Sequence, residues 1–199
     1  MEKLNRDFYL NNALVTAEKL IGKILVHNIN GKVLKGRIVE TEAYRGPFDK
    51  AAHSYNNKGR NGRTAVQYKE GGYAYVYLIY GMYYCFNVTT APENEPECVL
   101  IRALEPIEGI EYMKEVRNTD KVVNLCSGPG KLCKAMGIDK NCYGMDLCGN
   151  ELYILSDGND YSQYLGVSKR INIDYAQECA EYMWRFYLKG NAYVSVKPK

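Results

Sequence analysis

Two short segments of the chain carry residue types that could act on a flat, aromatic ligand. The first, residues 75–87, crowds five tyrosines and Phe86 around the single glycine Gly81. The second places the carboxylate of Glu42 two residues before Tyr44. Flat side chains can stack on a base, a rigid ring can act as a wedge, and a carboxylate can activate water. Together these groups meet the needs of an enzyme that works on a base turned out of a duplex.

Three further observations concern residues that could move a proton or hold a charge. Glu42 is expected near the end of a strand, where a partly buried carboxylate could take a proton from water; the alternative is a surface glutamate in an ion pair. Arg102 lies within an apolar strand and must find an acceptor, either Glu42 or a phosphate. His53 lies in a polar loop and could hydrogen-bond a base edge or a phosphate, although a lone loop histidine is often incidental.

Tyr80 is the candidate wedge, because it precedes Gly81 at the tip of a predicted hairpin. A rigid ring there could enter a base stack and fill the space left by an extruded nucleotide. Asn87, on the returning strand, could read a base edge or simply bond the backbone. Stacking faces, each worth about 1–3 kcal/mol per base, could come from Tyr75, Tyr77, Tyr83 and Tyr84. The alternative is an aromatic hairpin that packs against its own sheet.

Residues 45–72 form a long polar stretch that predicts an irregular loop. It holds Lys58, Arg60 and Arg63 among glycines and asparagines. A basic run of this kind can follow phosphates, and a long loop within a compact domain is usually functional or mobile. The alternative is a solvated loop without a ligand.

The elements that must position these residues follow from apolar periodicity and from turn signals. Asn30-Gly31 predicts a two-residue hairpin turn, which sets a strand that ends near Glu42. Strands are predicted over residues 23–29, 32–42, 73–80, 83–89, 99–104, 151–155, 184–188 and 192–196. Helices are predicted after Asn11 or Asn12, from Pro106 to about Arg117, from Ser127-Gly-Pro129 to Gly137, and near 174–183. Because strands outnumber a regular βαβ alternation, we expect one α+β domain over residues 1–199 with a curved, largely antiparallel sheet.

Composition restricts the class of protein. The 199 residues carry a net charge of +3 and 46% hydrophobic residues, which is typical of an ordinary globular protein. The seven cysteines are odd in number and lack a CxxC pair, which favours free thiols in a reducing compartment. The spacing of Cys126, Cys133, Cys142 and Cys148 does not match usual zinc patterns, and we expect neither a metal nor a cofactor. No apolar run reaches the ~20 residues of a membrane span, and phosphate-loop and GxSxG motifs are missing.

Six stretches resemble the alkyladenine (3-methyladenine) DNA glycosylases, of the monofunctional type shared by bacteria and mammals. They run in order along most of the chain: 37–44 (RIVETEAY), 51–54 (AAHS), 74–87 (AYVYLIYGMYYCFN), 99–106 (VLIRALEP), 125–133 (LCSGPGKLC) and 184–187 (WRFY). The resemblance implies a mixed α/β domain with a protruding β-hairpin that binds duplex DNA from the minor groove. It further implies flipping of an alkylated or deaminated purine and hydrolysis of its N-glycosidic bond, which leaves an abasic site.

The resemblance also implies a role for individual residues. Glu42 matches the general base that activates water against C1′, and Arg102 matches a residue that helps hold that water and a nearby phosphate. Ile173 matches a position whose backbone carbonyl contacts the water. Tyr44, His53 and Tyr77 match the walls of the base pocket, and Asn87 matches the position that crowds the 2-amino group of guanine. Tyr80 matches the intercalating tyrosine. Further contacts with DNA are expected from Met82, Tyr83, Arg60 and Arg63. No lysine nucleophile is matched, so strand cleavage is not expected.

The chain departs from the family's pattern after the basic loop. Gln67-Tyr68 stands where bacterial relatives often have an apolar Met-Phe pair, and residues 69–72 (KEGG) replace Gly-Pro-Pro-Gly. Lesion breadth therefore stays open, with 3-methyladenine expected and hypoxanthine a further candidate. A monomer in the cytoplasm of a bacterium, associated with the nucleoid through DNA, is the expected state. Two other functions remain open from the residues: a lesion-binding protein without catalysis, and a protein that acts on RNA.

Overall fold

An antiparallel sheet organises the molecule and carries most of the residues discussed above. The structure is a computed structural model that describes residues 1–197. Within that range the sheet holds nine strands: β1 (Glu2–Lys3), β2 (Ile24–Ile29), β3 (Lys32–Arg45), β4 (Ala74–Ile79), β5 (Tyr83–Thr90), β6 (Glu97–Glu108), β7 (Leu152–Ser156), β8 (Leu165–Ser168) and β9 (Arg185–Leu188). Their order is β1-β7-β2-β3-β6-β5-β4, with β9 pairing β3 and β8 pairing β9. The predicted α+β class is confirmed.

The helices are short and begin and end at residues suited to those positions. They are α1 (Arg6–Tyr9), α2 (Ala13–Leu20), α3 (Ile110–Arg117) and α4 (Pro129–Met136), and 3₁₀ turns cover Tyr55–Asn57, Ala65–Tyr68, Val122–Asn124, Lys140–Cys142, Ser162–Tyr164 and Asp174–Glu181. The side chain of Asn12 accepts a hydrogen bond from the backbone of Val15 at 3.0 Å and so caps α2. Gly137, with φ at +66°, ends α4 in the left-handed conformation.

Strand β3 is the element that positions the candidate carboxylates. Its first half pairs with β2, most of its length pairs with β6, and residues 40–42 also pair with β9. Register shifts near Lys35 and on both sides of Glu40 mark bulges, which bend a strand and redirect its side chains. Glu40 and Glu42 nevertheless lie close enough together that Arg102 donates a hydrogen bond to each of them.

The predicted β4–β5 hairpin is present and its tip is exposed. Its turn is closed by a hydrogen bond of 3.1 Å from the backbone of Met82 to the carbonyl of Ile79. Tyr80 and Gly81 have φ values of +53° and +67°. Positive φ at both central positions is the property of a type I′ turn, whose twist matches that of the two strands.

Two of the predicted elements are wrong. Pro106 does not begin a helix: β6 continues to Glu108, and α3 begins after Gly109. Pro106 lies opposite Gly36, where the register of the strand pair shifts, and such a bulge tolerates a residue without an N–H. Residues 192–196 form turns rather than a strand, because the backbone of Ser195 donates to the side chain of Glu40 instead of to a neighbouring strand.

Two other segments are more ordered, or less regular, than predicted. The polar stretch 45–72 contains two 3₁₀ turns, and Asp49, Ser54 and Gln67 within it are buried. The predicted helix near 174–183 is a 3₁₀ segment that is interrupted at Gln177, whose φ is +54°. In both segments buried polar side chains or local turns, which apolar periodicity does not reveal, determine the backbone.

Candidate active site

The carboxylate of Glu42 is fully buried and held by three donors. Its Oε2 accepts from the Tyr44 hydroxyl at 2.8 Å and from Nη1 of Arg102 at 3.3 Å. Its Oε1 accepts from the backbone N–H of Ile171 at 2.8 Å. A carboxylate offers about four acceptor positions, so one position on Oε1 remains for a further donor such as water. The expectation of a partly buried Glu42 understates its burial.

A second buried carboxylate, that of Glu40, fixes the arginine that contacts Glu42. Nε of Arg102 donates to Glu40 at 3.1 Å, and Nε of Arg185 donates to the same oxygen at 2.7 Å. The backbone and hydroxyl of Ser195 add two more hydrogen bonds to Glu40, at 2.6 and 2.9 Å. Two carboxylates thus face two guanidinium groups, and the cluster is electrically balanced away from water.

The carboxylate charges in this cluster raise the pKa of both a neighbouring arginine and a neighbouring tyrosine. Burial alone would lower the pKa of Arg102, but the adjacent Glu42 and Glu40 raise it above its ordinary value. Burial, reinforced by the charge of Glu42, raises the pKa of Tyr44 well above its ordinary value. Tyr44 therefore stays a neutral phenol, and its hydroxyl donates a hydrogen bond to Glu42.

Arg170 supports the loop that touches Glu42 from the other side. Its guanidinium pairs with the buried Asp49, with one hydrogen bond at 2.9 Å, and donates to the carbonyl of Ala43 at 2.9 Å. It also lies between the rings of Tyr44 and Trp184, at 4.8 and 5.0 Å from their centroids. Because Ile171 is the next residue, this packing fixes the N–H that contacts Glu42.

A cavity of about 560 Å³ opens next to the carboxylate cluster. It is lined by Tyr44, His53, Tyr77, Asn87, Arg102 and Ile173, all of which were sequence candidates, and by Gln67, Tyr75, Tyr80, Tyr83 and Tyr175 among others. Glu42 lies just behind this surface, and its three donors belong to the wall. The volume is large enough for a purine and for part of its sugar.

Aromatic groups on the cavity wall are kept neutral. His53 contacts the Tyr75 hydroxyl at 2.8 Å through Nδ1, and its ring lies edge-on to Tyr77 with centroids 4.6 Å apart. Burial, together with the nearby charge of Arg63, lowers the pKa of His53 to about 4. Burial raises the pKa of Tyr75 and of Tyr77. The wall therefore offers uncharged rings at neutral pH.

Asn87 and Ile173 are both held in place by backbone contacts. Nδ2 of Asn87 donates to the carbonyl of Tyr75 at 3.1 Å, and its Oδ1 accepts from Sγ of Cys98 at 3.9 Å. The carbonyl of Ile173 accepts from the N–H of Ala176 at 2.8 Å, which leaves one of its lone pairs. Asn87 thus bonds the backbone, as one of its two sequence interpretations stated, while its side chain still lines the cavity.

The hairpin tip presents three large apolar side chains beside the cavity. Tyr80 is 77% exposed and its backbone has an unusual positive φ for a residue with a side chain. Met82 and Tyr83 are also exposed. The ring of Tyr83 packs against Gly130 at the start of α4, where an added Cβ would lie 3.0 Å from the tyrosine. Tyr83 therefore anchors one side of the hairpin to the start of α4, while Tyr80 stays exposed.

Positive charge surrounds the cavity from two directions. Arg60 and Arg63 are exposed in the polar segment, and Arg60 contacts Asn94 and lies 4.9 Å from the ring centroid of Tyr68. Arg117, Lys131 and Lys134 line the cavity itself, together with Gly128, Pro129 and Gly130 at the start of α4. Sequence reasoning did not single out these three basic residues, although the Ser-Gly-Pro-Gly stretch that begins α4 is a signal for an anion-facing helix terminus.

Other contributors to the site also escaped the sequence analysis. Glu40 and Arg185 are charged residues beside apolar ones in the sequence, which is the signal that drew attention to Arg102, whereas Arg170 follows Ser168-Lys169 in a polar stretch and gives no such signal. Gln67 was noted only as a departure from a family pattern. Their partners come from distant parts of the chain, so that no spacing rule connects them.

The described residues form neither a metal-binding cluster nor a helix that could span a membrane. Between residues 1 and 197, no three His, Cys, Asp or Glu side chains are grouped as a metal would require. The seven cysteines are free thiols. No helix in the described part of the chain is long and apolar enough to cross a membrane.

A buried carboxylate beside an aromatic, purine-sized cavity is suited to hydrolysis at the sugar of an extruded nucleotide. This arrangement indicates that the protein is of the DNA glycosylase class. Comparison with known sequences agrees. The family model described as methylpurine-DNA glycosylase (MPG) matches residues 7–192. The chain therefore belongs to the methylpurine-DNA glycosylase family, a group of DNA repair hydrolases that act on N-glycosyl bonds, and the predicted resemblance is confirmed.

Bacterial relatives of similar length support this membership. A protein of Desulfitobacterium hafniense is 49% identical and covers 99% of this chain and 100% of its own length. One of Natranaerobius thermophilus is 49% identical over 98% of this chain and 99% of its own length. One of Bacillus cereus is 52% identical over 96% and 97%. Each carries the name "Putative 3-methyladenine DNA glycosylase".

Proposed function

We propose that the protein flips 3-methyladenine-type lesions, and deaminated purines such as hypoxanthine, out of duplex DNA and hydrolyses their N-glycosidic bond. The observation that carries this proposal is the buried Glu42 carboxylate, which keeps one acceptor position on Oε1 directly behind the wall of a purine-sized cavity. The names of the bacterial relatives agree with a 3-methyladenine substrate.

Glu42 acts as the general base in the proposed reaction. A water molecule bonded to Oε1 attacks C1′ of the deoxyribose, and its proton passes to the carboxylate as the bond from C1′ to the base nitrogen breaks. The electron pair of that bond leaves with the base and neutralises an alkylated, cationic purine, whereas a neutral purine such as hypoxanthine must also take up a proton to leave as a neutral base. Arg102 holds Glu42 and the water, and the carbonyl of Ile173 is the second acceptor for that water. No lysine nucleophile participates, so the product is an intact strand with an abasic site.

The cavity and hairpin have separate roles in lesion binding. Tyr44, His53 and Tyr77 form the walls that receive the base, and Asn87 restricts the edge where guanine carries its 2-amino group. Neutral rings accept a cationic base without repulsion, and their faces attract it. Tyr80 enters the base stack from the minor groove, while Met82 and Tyr83 contact the flanking bases.

Basic residues on both sides of the cavity guide the DNA backbone. Arg60 and Arg63 contact phosphates on one side, and Arg117, Lys131 and Lys134 on the other. One domain spanning residues 1–199 suffices for the reaction, and it works as a monomer in the cytoplasm of a bacterium, on the nucleoid. Neither a metal nor a cofactor is needed for a general-base hydrolysis of this kind.

The test is chromatography of the bases released from methylated duplex DNA. Wild type and the control Glu108→Gln, an exposed glutamate paired with Lys35, should release 3-methyladenine, and Glu42→Gln should not. Turnover by Glu42→Gln at the wild-type rate would remove Glu42 from the mechanism. If folded wild type binds lesion DNA but releases nothing, the protein recognises damage without catalysis. Stronger competition by single-stranded RNA than by duplex DNA would indicate an RNA ligand.

A further inference from the structure

Gln67 carries a buried amide oxygen without a hydrogen-bond partner. Within residues 1–197, four buried side-chain polar atoms lack a partner, and they belong to Tyr9, Gln67, Thr90 and Arg170. Of these four residues, Gln67 is the one that lines the cavity. Its side chain lies in the 3₁₀ turn Ala65–Tyr68, which packs across β4, β5 and β6, and the residue is only 1% exposed.

An unpaired, buried amide oxygen beside a cavity is unusual. Folded proteins pair nearly all of their buried polar groups, and an exception next to a cavity points to a ligand that completes the bond. The nearby Asn87 differs, because both ends of its amide are occupied by Tyr75 and Cys98. Gln67 is therefore the amide on the cavity wall whose buried oxygen lacks a partner, and a turn of this amide toward the cavity would present the oxygen to a bound base.

We propose that Gln67 is a specificity-determining residue, whose side-chain oxygen accepts a hydrogen bond from the 6-amino group of an adenine-type lesion in the cavity. This inference rests on the proposed function. Adenine carries an N–H donor at position 6, whereas guanine carries an acceptor there. An acceptor on the protein favours the first and disfavours the second, so that purines with a 6-oxo group, hypoxanthine included, should rank below adenine-type lesions as substrates.

The chemistry of the lesion strengthens this preference. Methylation at N3 gives adenine a positive charge, and a charged donor forms a shorter and stronger hydrogen bond than a neutral one. The terminal torsion of glutamine is broad, so that the Gln67 amide can turn toward a base without leaving its rotamer. The oxygen is shielded from solvent, hence water competes little for it.

Three variants test the inference on methylated duplex DNA, with 3-methyladenine and 7-methylguanine release measured in the same chromatogram. Gln67→Met removes the acceptor at similar volume, and Gln67→Glu retains an acceptor oxygen at similar reach. Thr90→Val is the matched control, because it also removes an unpartnered buried oxygen but lies outside the cavity wall. Thermal unfolding of each variant verifies that it is folded.

Gln67→Met should lower single-turnover release of 3-methyladenine about tenfold, as expected for one lost hydrogen bond, without lowering release of 7-methylguanine. Gln67→Glu and Thr90→Val should keep the wild-type rate for 3-methyladenine within about threefold, the usual range for changes that leave a contact intact. Unchanged 3-methyladenine release by Gln67→Met, or an equal loss for both bases, would overturn the inference. Absence of base release from folded wild type would contradict the proposed function instead.

Discussion

The carboxylate cluster and the hairpin tip are built in opposite ways. Glu40 and Glu42 are fully buried, and each carboxylate is held by several donors from distant parts of the chain. Tyr80, in contrast, is exposed at the tip of a two-stranded hairpin and has a backbone conformation that its side chain disfavours. One region is fixed in the free protein, whereas the other leaves apolar surface exposed to water.

This difference corresponds to a division of the proposed reaction into catalysis, by the carboxylate cluster, and lesion binding, by the hairpin tip. Groups that stabilise a transition state act best when they are already oriented in a dry site, because no reorganisation is then needed during the reaction. A wedge must instead be accessible, since the space it fills exists only after a nucleotide has left the stack. Changes in the cluster should therefore alter rate or folding stability, and changes at the tip should alter lesion affinity.

The largest effect is expected for Glu42→Gln. A missing general base should lower the single-turnover rate about 10³-fold, within the usual range for such groups, while lesion affinity changes little. The amide retains the size of the carboxylate and one oxygen, so that Tyr44 and Arg102 keep an acceptor. Single-turnover kinetics and a gel-shift titration of the same preparation separate the two quantities. An equal loss of affinity would show that Glu42 also serves binding and would break the division.

Glu40→Leu should give the largest loss of folding stability. Removing this carboxylate leaves Arg102 and Arg185 buried without their shared partner, which costs about 3 kcal/mol or more in the free energy of unfolding. Chemical denaturation measures this quantity. Glu108→Leu is the matched control, because its pair with Lys35 is partly exposed and should contribute less than about 1 kcal/mol. Similar losses for both variants would mean that the buried cluster is not special.

The pH dependence of stability should report on His53. Its pKa is lowered from 6.5 to about 4 by burial and by Arg63, so that the unfolded chain takes up a proton between these pH values and the folded chain does not. The free energy of unfolding should therefore fall as the pH decreases from 6.5 to about 4, by about 2 kcal/mol for a group that is partly open to solvent.

His53→Gln should remove this part of the pH dependence. Denaturation curves of wild type and of the variant across that pH range measure the difference. Parallel curves for the two proteins would show that His53 is not held neutral in the folded state, and the neutral cavity wall would lose its support.

Tyr80→Ala should weaken lesion binding about tenfold, as expected for the loss of one ring that stacks on bases. Folding stability should change by less than about 0.5 kcal/mol, since the side chain has few contacts in the folded protein. Tyr164→Ala is the control, because Tyr164 is also exposed but lies outside the hairpin. Unchanged affinity in Tyr80→Ala, or a loss in both variants, would contradict the wedge.

The smallest effect is expected for Arg60→Ala. If Arg60 contacts one phosphate, its removal should reduce the slope of log affinity against log salt by about 1 without changing lesion preference. Lys35→Ala is the control and should leave the slope unchanged, because Lys35 lies near the start of β3, at the other end of the strand from Glu42 and Tyr44. Identical slopes for Arg60→Ala and wild type would limit Arg60 to its contacts with Asn94 and Tyr68.

Patterns in the sequence were sufficient to predict most of the local elements and the family of the protein. Asn12 as a helix cap, Asn30-Gly31 and Tyr80-Gly81 as hairpin turns, and the alternating strands of the sheet all follow from short-range chemistry. The assignment of Tyr44, His53, Tyr77 and Asn87 to the base pocket came instead from the resemblance of their motifs to a known family. The helix from Pro106 and the strand 192–196 failed where a bulge or a buried carboxylate outweighed local preference.

The arrangement of the buried charges and of the cavity, in contrast, could be seen only in the tertiary structure. The contacts of Glu40 with Arg102, Arg185 and Ser195 join residues up to 155 positions apart, and no local pattern encodes such a distance. The unpartnered oxygen of Gln67 is likewise a property of the folded cavity. The physical reason is that a buried polar group is stable only with partners, and folding of the whole chain determines which partners it meets.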